Sequence, residues 1–337
     1  MHCNGTGRSP VFLCYDQEPL LKNFNYVLFN KVKNEWGNNR HIILLNTELE
    51  SEIKKEYCEY FNFYDCYYFF HALAASDWYR GYRFDCSITE PKDRKIKYKF
   101  FSLNRLTGGA RLYRSIFVSK LLENNLIDYG LISYSAICPE YGHYKDNLVE
   151  GKVKYDFIPG FLDNCIKQLD KLDRQLRVDE ASIISNGSQE ISSITQIMQS
   201  FVQVVTETCF WENKLHLTEK IFKPIVLKQP FILLGCPNNL KYLKRYGFKT
   251  FNSWWDENYD NIVDPISRMD AVVSIINQLS NKSTAELEGM LNEMQATLDH
   301  NYNLFYSQEF VDNVWNELTT NLDTQLSLLP RTMLAGI

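Results

Sequence analysis

Strand-length apolar runs alternate with helical patterns along most of this 337-residue chain, and that alternation restricts the fold more than any other feature. The runs occupy residues 10–15, 25–29, 41–45, 67–70, 98–103, 201–205, 230–234 and 248–251, each bounded by polar clusters. Between them, Leu112, Tyr113, Ile116, Phe117, Lys120 and Leu121 follow i, i+3, i+4 spacing, and similar stripes run through 162–176 and 192–198. Strands separated by helices pair in parallel, with the helices covering the sheet faces. From Asp264 onward the pattern is purely helical, over 266–279, 284–298 and 307–322. The charge-dense stretch 89–97 (TEPKDRKIK) reads as a linker, so the expected fold is α/β. It comprises two Rossmann-like, doubly wound domains, 1–96 and 97–265, and helices over 266–337 that pack across them. In doubly wound folds ligands bind beyond the carboxyl ends of the strands, which points to a central cleft.

Composition removes several function classes. A net charge of −5 argues against a basic coat for nucleic acid, although it leaves room for a local basic cleft. The nine cysteines include no CxxC pair and their number is odd, which fits buried thiols in a reducing compartment. No apolar stretch approaches the roughly 20 residues of a membrane span, and Asp16 and Glu18 interrupt the first apolar run. The expectation is a soluble cytoplasmic protein without a membrane partner, in which the sequons at Asn4, Asn186 and Asn281 carry no weight. Tyrosine and phenylalanine number 21 each and crowd residues 57–70. They suit either a thick core or a stacking surface for sugars or bases.

Three segments carry candidate chemistry. In 201–235 a β-rich run ends in Thr206–Glu207–Thr208. After a loop, Thr218 stands as an N-cap, with Glu219, Lys220 and, one turn on, Lys223. Lysines at a helix start favour an anion, because unpaired N–H groups and the helix dipole act in the same direction. Pro224 is expected to bend or loosen that helix. In 100–120 a strand ends at Asn104–Arg105, Thr107–Gly108–Gly109 turn the chain, and a helix carrying Arg111 and Arg114 follows. The glycines allow close backbone approach to a ligand, and the guanidinium groups suit phosphate. Neither a Walker A loop nor GxGxxG is present. The third segment, 11–20 (VFLCYDQEPL), places Asp16 and Glu18 just beyond a strand end, where either could accept a proton.

The segment ET…LTEKIFKPIVLKQPFILLG resembles the donor-binding motif of the α1,3-fucosyltransferase-like family, over about residues 100–251. The first hundred residues, with their DQEPL start, are closer to glycosyltransferase-like proteins of bacteriophages. The resemblance implies a two-domain GT-B-like glycosyltransferase, inverting and metal-independent, using a UDP- or GDP-linked hexose or pentose. Residue by residue, it implies that Glu207 and Thr208 occupy the donor site. Glu219 and Lys220 would grip ribose and diphosphate, and Arg105 or Arg114 would neutralise the leaving group; Thr218 and Lys223, from their place at the same helix start, complete the donor-binding candidates. The chain departs from the pattern at Thr208 (usually Asn), Pro224 (usually a small residue) and Gln229 (usually Gly).

The N-terminal domain would then bind the acceptor, with His71, Asp77 and Trp78 as candidate contacts and Asp16 or Glu18 as catalytic base. The acceptor is a glycan or a hydroxymethylated base of bacteriophage DNA. DNA would call for a basic strip, for which 92–99 (KDRKIKYK) and 241–245 (KYLKR) are candidates. A non-catalytic nucleotide-binding or viral structural protein is the alternative of another class. A methyl- or phosphotransferase is a weaker one. Asp256 and Glu257, in the run FNSWWDENYD, lack a third ligand at coordinating spacing, so no metal site is expected.

Overall fold

The structure is a computed structural model describing residues 10–20, 30–31, 34–35, 41–57, 62–85, 88–155, 157–172, 175–176, 178, 189–191 and 193–330. It is an α/β protein with parallel sheets. The expected strand at 25–29 and the sequons at Asn4 and Asn186 lie outside the described residues. Two compact units divide the chain: Met1–Ala74 with Asn213–His216 and Ser307–Ile337, and Ala75–Glu212 with Leu217–Tyr306.

In the first unit β1 (Val11–Tyr15), β2 (His41–Asn46) and β3 (Asn62–Tyr67) pair in parallel, in that order. Val11 stands opposite Ile42, and Ile42 opposite Phe63. The period of two sorts β2 cleanly. Ile42 and Leu44 pack with Leu20 on one face. Ile43 packs with Cys66, Leu329 and the leucines of the final helix, α12 (Gln308–Ser327), on the other. Asn321 of that helix donates to the Tyr67 carbonyl at 2.7 Å. Helices α1 (Glu52–Tyr57) and α2 (Phe70–Trp78) flank β3 in sequence, and the division between units falls within α2.

The second unit begins its sheet at β4 (Tyr98–Leu103), followed by α3 (Tyr113–Glu123) and β5 (Gly130–Ser133). A small hairpin, β6 (Ile137–Cys138) with β7 (Gly142–His143), leads into α4 (Tyr144–Lys154), α5 (Phe161–Leu169) and α6 (Ile194–Met198). Then come β8 (Ser200–Thr206), α7 (Phe222–Val226), β9 (Phe231–Leu234) and α8 (Asn239–Arg245). Helices α9 (Pro265–Ser280), α10 (Thr284–Glu293) and α11 (Gln295–Phe305) complete it. All seven residues of β8 and all four of β9 are buried, the pattern of strands covered on both faces.

The spatial order is β5-β4-β8-β9, with every pairing parallel. The chain leaves β4 to one side, forms β5, and returns to the other side of β4 to lay down β8. The order therefore reverses between β4 and β8, and a doubly wound sheet opens a crevice at the carboxyl ends of two such strands.

Several expectations need correction. The apolar run 67–70 is not a strand: β3 ends at Tyr67 and α2 begins at Phe70. Residues 248–251 form no strand either, although Phe248 and Phe251 are buried; Glu257 accepts from Thr250 Oγ1 and from Phe251 N, holding the segment as a loop. The helix expected over 162–176 stops at Leu169, and Leu176 instead forms an isolated bridge with Tyr134. The helix expected over 284–298 is two, α10 and α11, separated at Met294. The stretch 89–97 lies inside the second unit. Its Arg94 is buried and donates to the carbonyls of Thr89, Leu227 and Lys228 and to Gln229 Oε1, which binds the stretch to its surroundings.

Candidate functional site

The end of β8 and the start of α7 form one polar network. Glu207, the first residue past β8, is fully buried. Its carboxyl oxygens accept from Thr218 N at 3.2 Å, Thr218 Oγ1 at 2.5 Å and Thr208 N at 3.2 Å. Burial pushes its pKa up, opposed by the Lys220 charge and the Thr218 hydrogen bonds. Thr218 also caps the turn that follows, Glu219–Ile221, by accepting from Lys220 N. The Lys220 ammonium reaches Thr208 Oγ1 and Thr218 Oγ1, each at 3.2 Å, and Glu219 Oε1 at 2.9 Å. Its side chain is 30 % exposed and that of Glu219 is 5 %. Glu207, Thr208, Thr218, Glu219 and Lys220 are therefore brought together, at the carboxyl end of β8 beside the reversal of strand order.

The local backbone differs from the expected helix start. Glu219–Ile221 is a three-residue 3-10 turn, and α7 has only five residues, so no long helix dipole backs the site. Pro224 sits in the first turn of α7, where its missing N–H is not needed. It does not bend a helix. Gln229 holds the fold together, since its Nε2 donates to the Ser200 and Phe201 carbonyls while its Oε1 accepts from Arg94.

Two expected cations are committed elsewhere. Arg114 is buried, and its guanidinium donates to the carbonyls of Leu106 at 3.1 Å, Thr206 at 2.8 Å and Glu207 at 3.0 Å. It ties the turn after β4 to the end of β8 and leaves no fork for a phosphate. Lys223 donates to the Glu190 carbonyl at 2.9 Å. Burial pulls its pKa down to about 8, although Glu219 opposes the shift.

That depression predicts a pH dependence. Between pH 8 and the ordinary lysine value the unfolded chain holds a proton on Lys223 that the folded chain has released, so stability rises with pH across that window. At about 1.4 kcal/mol per pKa unit, the increment approaches roughly 3 kcal/mol. Urea melts at pH 7.5 and 10 are expected to show a smaller rise in Lys223→Met than in the wild type. Equal rises in both proteins would contradict this assignment.

The glycines also find another explanation. A Cβ on Gly108 would lie 2.3 Å from Tyr141 Cβ, and one on Gly109, whose φ is +57°, would lie 2.7 Å from Tyr141 Cε1. It is Tyr141, which the sequence did not single out, that closely approaches the two glycines. Arg105, just past β4, is exposed, and among the described residues the side chains of Arg105 and Arg111 make no hydrogen bond or ion pair.

The remaining candidates are not part of this network. Asp16, at the end of β1, accepts from the Tyr68 hydroxyl. Burial and that hydrogen bond raise the Tyr68 pKa well above the usual phenol range. Glu18 is exposed. His71 is buried in the first unit, its ring edge-on to His216 with centroids 5.6 Å apart. Asp77, in the second unit, is exposed and ion-paired to Arg80, and Trp78 is half-buried. In 254–257, Trp255 and Glu257 are buried and Asp256 accepts from Asn258 N, a structural arrangement.

Some cations of the expected basic strips have partners. Within 92–99, Arg94 turns inward, Lys95 pairs with Glu288, and Lys99 donates to the Lys282 carbonyl. Within 241–245, Lys244 pairs with Glu257. Among the described residues no helix is long and apolar enough to cross a membrane. Compared with known protein families, characterised proteins and solved structures, the chain matches none.

Proposed function

We propose that the second unit binds a nucleoside diphosphate at the carboxyl ends of β4 and β8, and that the protein is a glycosyltransferase with a UDP- or GDP-linked sugar donor. The observation that carries this reading is the Lys220 ammonium, held by Thr208, Thr218 and Glu219 and still partly exposed at the reversal of strand order. A fixed cation at that place suits a diphosphate, and the exposed Arg105 is a second source of positive charge. Glu219 offers a carboxylate to a ribose diol.

In the transfer, the acceptor oxygen attacks the anomeric carbon as the bond from that carbon to the diphosphate oxygen breaks. The diphosphate leaves with the electron pair, and Lys220 stabilises the charge that develops on it. The proton of the acceptor hydroxyl passes to a carboxylate, for which Asp16 and Glu18 are the candidates. The GT-B arrangement of the two units belongs to this proposal. So does a glycan acceptor, with a hydroxymethylated base of DNA as the other candidate.

Calorimetric titration with UDP and with GDP tests the donor site, followed by product assays with a panel of nucleotide sugars. One nucleotide is expected to bind with a Kd between about 1 μM and 1 mM, in the range of ordinary substrate constants. Lys220→Ala should weaken it roughly 10- to 100-fold, the worth of a charge-assisted hydrogen bond. Full affinity in that variant would remove the assignment. A second reading, nucleotide binding without transfer, draws support from the commitment of Arg114 and Lys223 to backbone carbonyls, which leaves fewer charges for a leaving group. Binding without release of diphosphate from any donor would select it.

A further inference from the structure

The turn after β4 carries a feature that the diphosphate does not use. Tyr141, in the loop of the β6–β7 hairpin, lies against Gly108 and Gly109 so closely that no side chain fits on either glycine. Yet it remains 40 % exposed. Beside the same turn stands Asn147 of α4, whose Oδ1 would lie 3.0 Å from a Cβ on Gly108. Asn147 is 6 % exposed, and its Nδ2 has no hydrogen-bond partner among the described residues. A buried amide donor without an acceptor costs free energy that a ligand carbonyl can recover.

The turn is also fixed to the proposed diphosphate site. Arg114 bonds the carbonyls of Leu106 and Glu207 with one guanidinium group, so the two chain segments lie within the span of a single fork. Glu207 in turn holds Thr218, which holds Lys220. On the same turn the Trp211 indole donates to the Ala110 carbonyl at 3.0 Å. The turn against which Tyr141 packs is thus secured to the same framework as the cation.

We propose that Tyr141 is the stacking surface for the base of the bound nucleotide and that Asn147 donates to a carbonyl on that base. This inference rests on the nucleotide reading given above. A base has a flat π-face that stacks on an aromatic ring, and uracil and guanine each present a carbonyl that an amide donor can meet. The division of labour is then spatial: Lys220 reads the diphosphate, and the Gly108–Gly109 turn with Tyr141 and Asn147 reads the base.

The test is titration of the full chain with UDP, GDP and inorganic pyrophosphate, using wild type, Tyr141→Ala, Tyr141→Phe and Asn147→Ser. Tyr141→Ala should weaken the preferred nucleotide about tenfold or more while leaving pyrophosphate affinity unchanged. Tyr141→Phe, which keeps the ring, should stay within about twofold of wild type. Asn147→Ser, whose shorter side chain no longer reaches a base carbonyl, should weaken the preferred nucleotide while leaving pyrophosphate affinity unchanged. An equal loss for nucleotide and pyrophosphate in Tyr141→Ala would mean that the ring merely supports the turn, and would overturn the inference. So would no loss for either. Wild type that binds pyrophosphate and both nucleotides with one affinity would overturn the inference and leave the diphosphate site standing, whereas wild type that binds none of the three would remove both.

Discussion

Replacing Lys214 by Ala is expected to destabilise the protein by about 3–5 kcal/mol, because it leaves the Glu48 carboxylate buried and unpaired. Both side chains are 1 % exposed, and the ammonium lies 2.8 Å from Glu48 Oε1. The same ammonium donates to the Leu20 carbonyl at 3.1 Å, and the same carboxyl oxygen accepts from Leu20 N. One ion pair therefore also satisfies both backbone polar groups of Leu20. The surroundings add an antiparallel bridge in which Leu49 and Leu215 exchange hydrogen bonds of 3.0 and 2.9 Å. Through these contacts the four residues Asn213–His216 belong to the first unit, although the chain on both sides of them belongs to the second.

Urea denaturation measures the effect. Glu48→Ala should cost a similar amount, since it strands the ammonium instead. The double replacement Lys214→Met with Glu48→Leu should recover most of the loss, because matched apolar side chains need no compensation for desolvated charge. In a cycle closed with the single replacements Lys214→Met and Glu48→Leu, the coupling energy is expected to reach at least about 2 kcal/mol. Losses that simply add would show that the two charges act independently and that the pair is not what closes this part of the first unit.

How far the sequence could lead depends on whether a residue's role is local. Strands β8 and β9 are buried throughout and β4 at its centre, and their apolar runs were legible at once. The four-residue β5 (GLIS) has no such run; pairing with β4 creates it. Phe248 and Phe251 show the opposite error. They are as apolar as a strand requires, but they lie in a loop, Phe248 against Phe222 and Phe251 against Phe231, and Glu257 takes the Phe251 N–H. At the site, the Thr218–Glu219–Lys220 turn was recognisable because capping is a short-range chemistry. The roles of Gly108, Gly109 and Gln229 were not, since each depends on a partner that only the fold brings up: Tyr141 for the glycines, Arg94 for Gln229. The Lys214–Glu48 pair, separated by 166 residues, left no trace in local pattern.

Arg114 shows how a structural cation differs from the one proposed to bind a ligand. As a phosphate ligand it would tolerate truncation in the free protein. As an anchor for three backbone carbonyls it should not. Hydrogen bonds to a charged group contribute about 1.5–3 kcal/mol each, and truncation also leaves buried carbonyls without their partner. Arg114→Ala is therefore expected to lower the unfolding free energy by about 3 kcal/mol or more. Arg114→Lys should recover only part of this, because a single ammonium cannot reproduce the planar fork that spans Leu106, Thr206 and Glu207. Lys220→Ala, by contrast, removes a partly exposed side chain and should move the thermal midpoint by no more than about 2–4 °C, the shift expected for a loss near 1 kcal/mol in a domain of this size. The two variants should thus exchange places between a melt and a nucleotide titration: Arg114→Ala with the large stability loss, Lys220→Ala with the large affinity loss in a folded protein. Should Arg114→Ala melt like wild type while losing nucleotide affinity, its carbonyl bonds would be dispensable, and the guanidinium would return to the ligand side of the site.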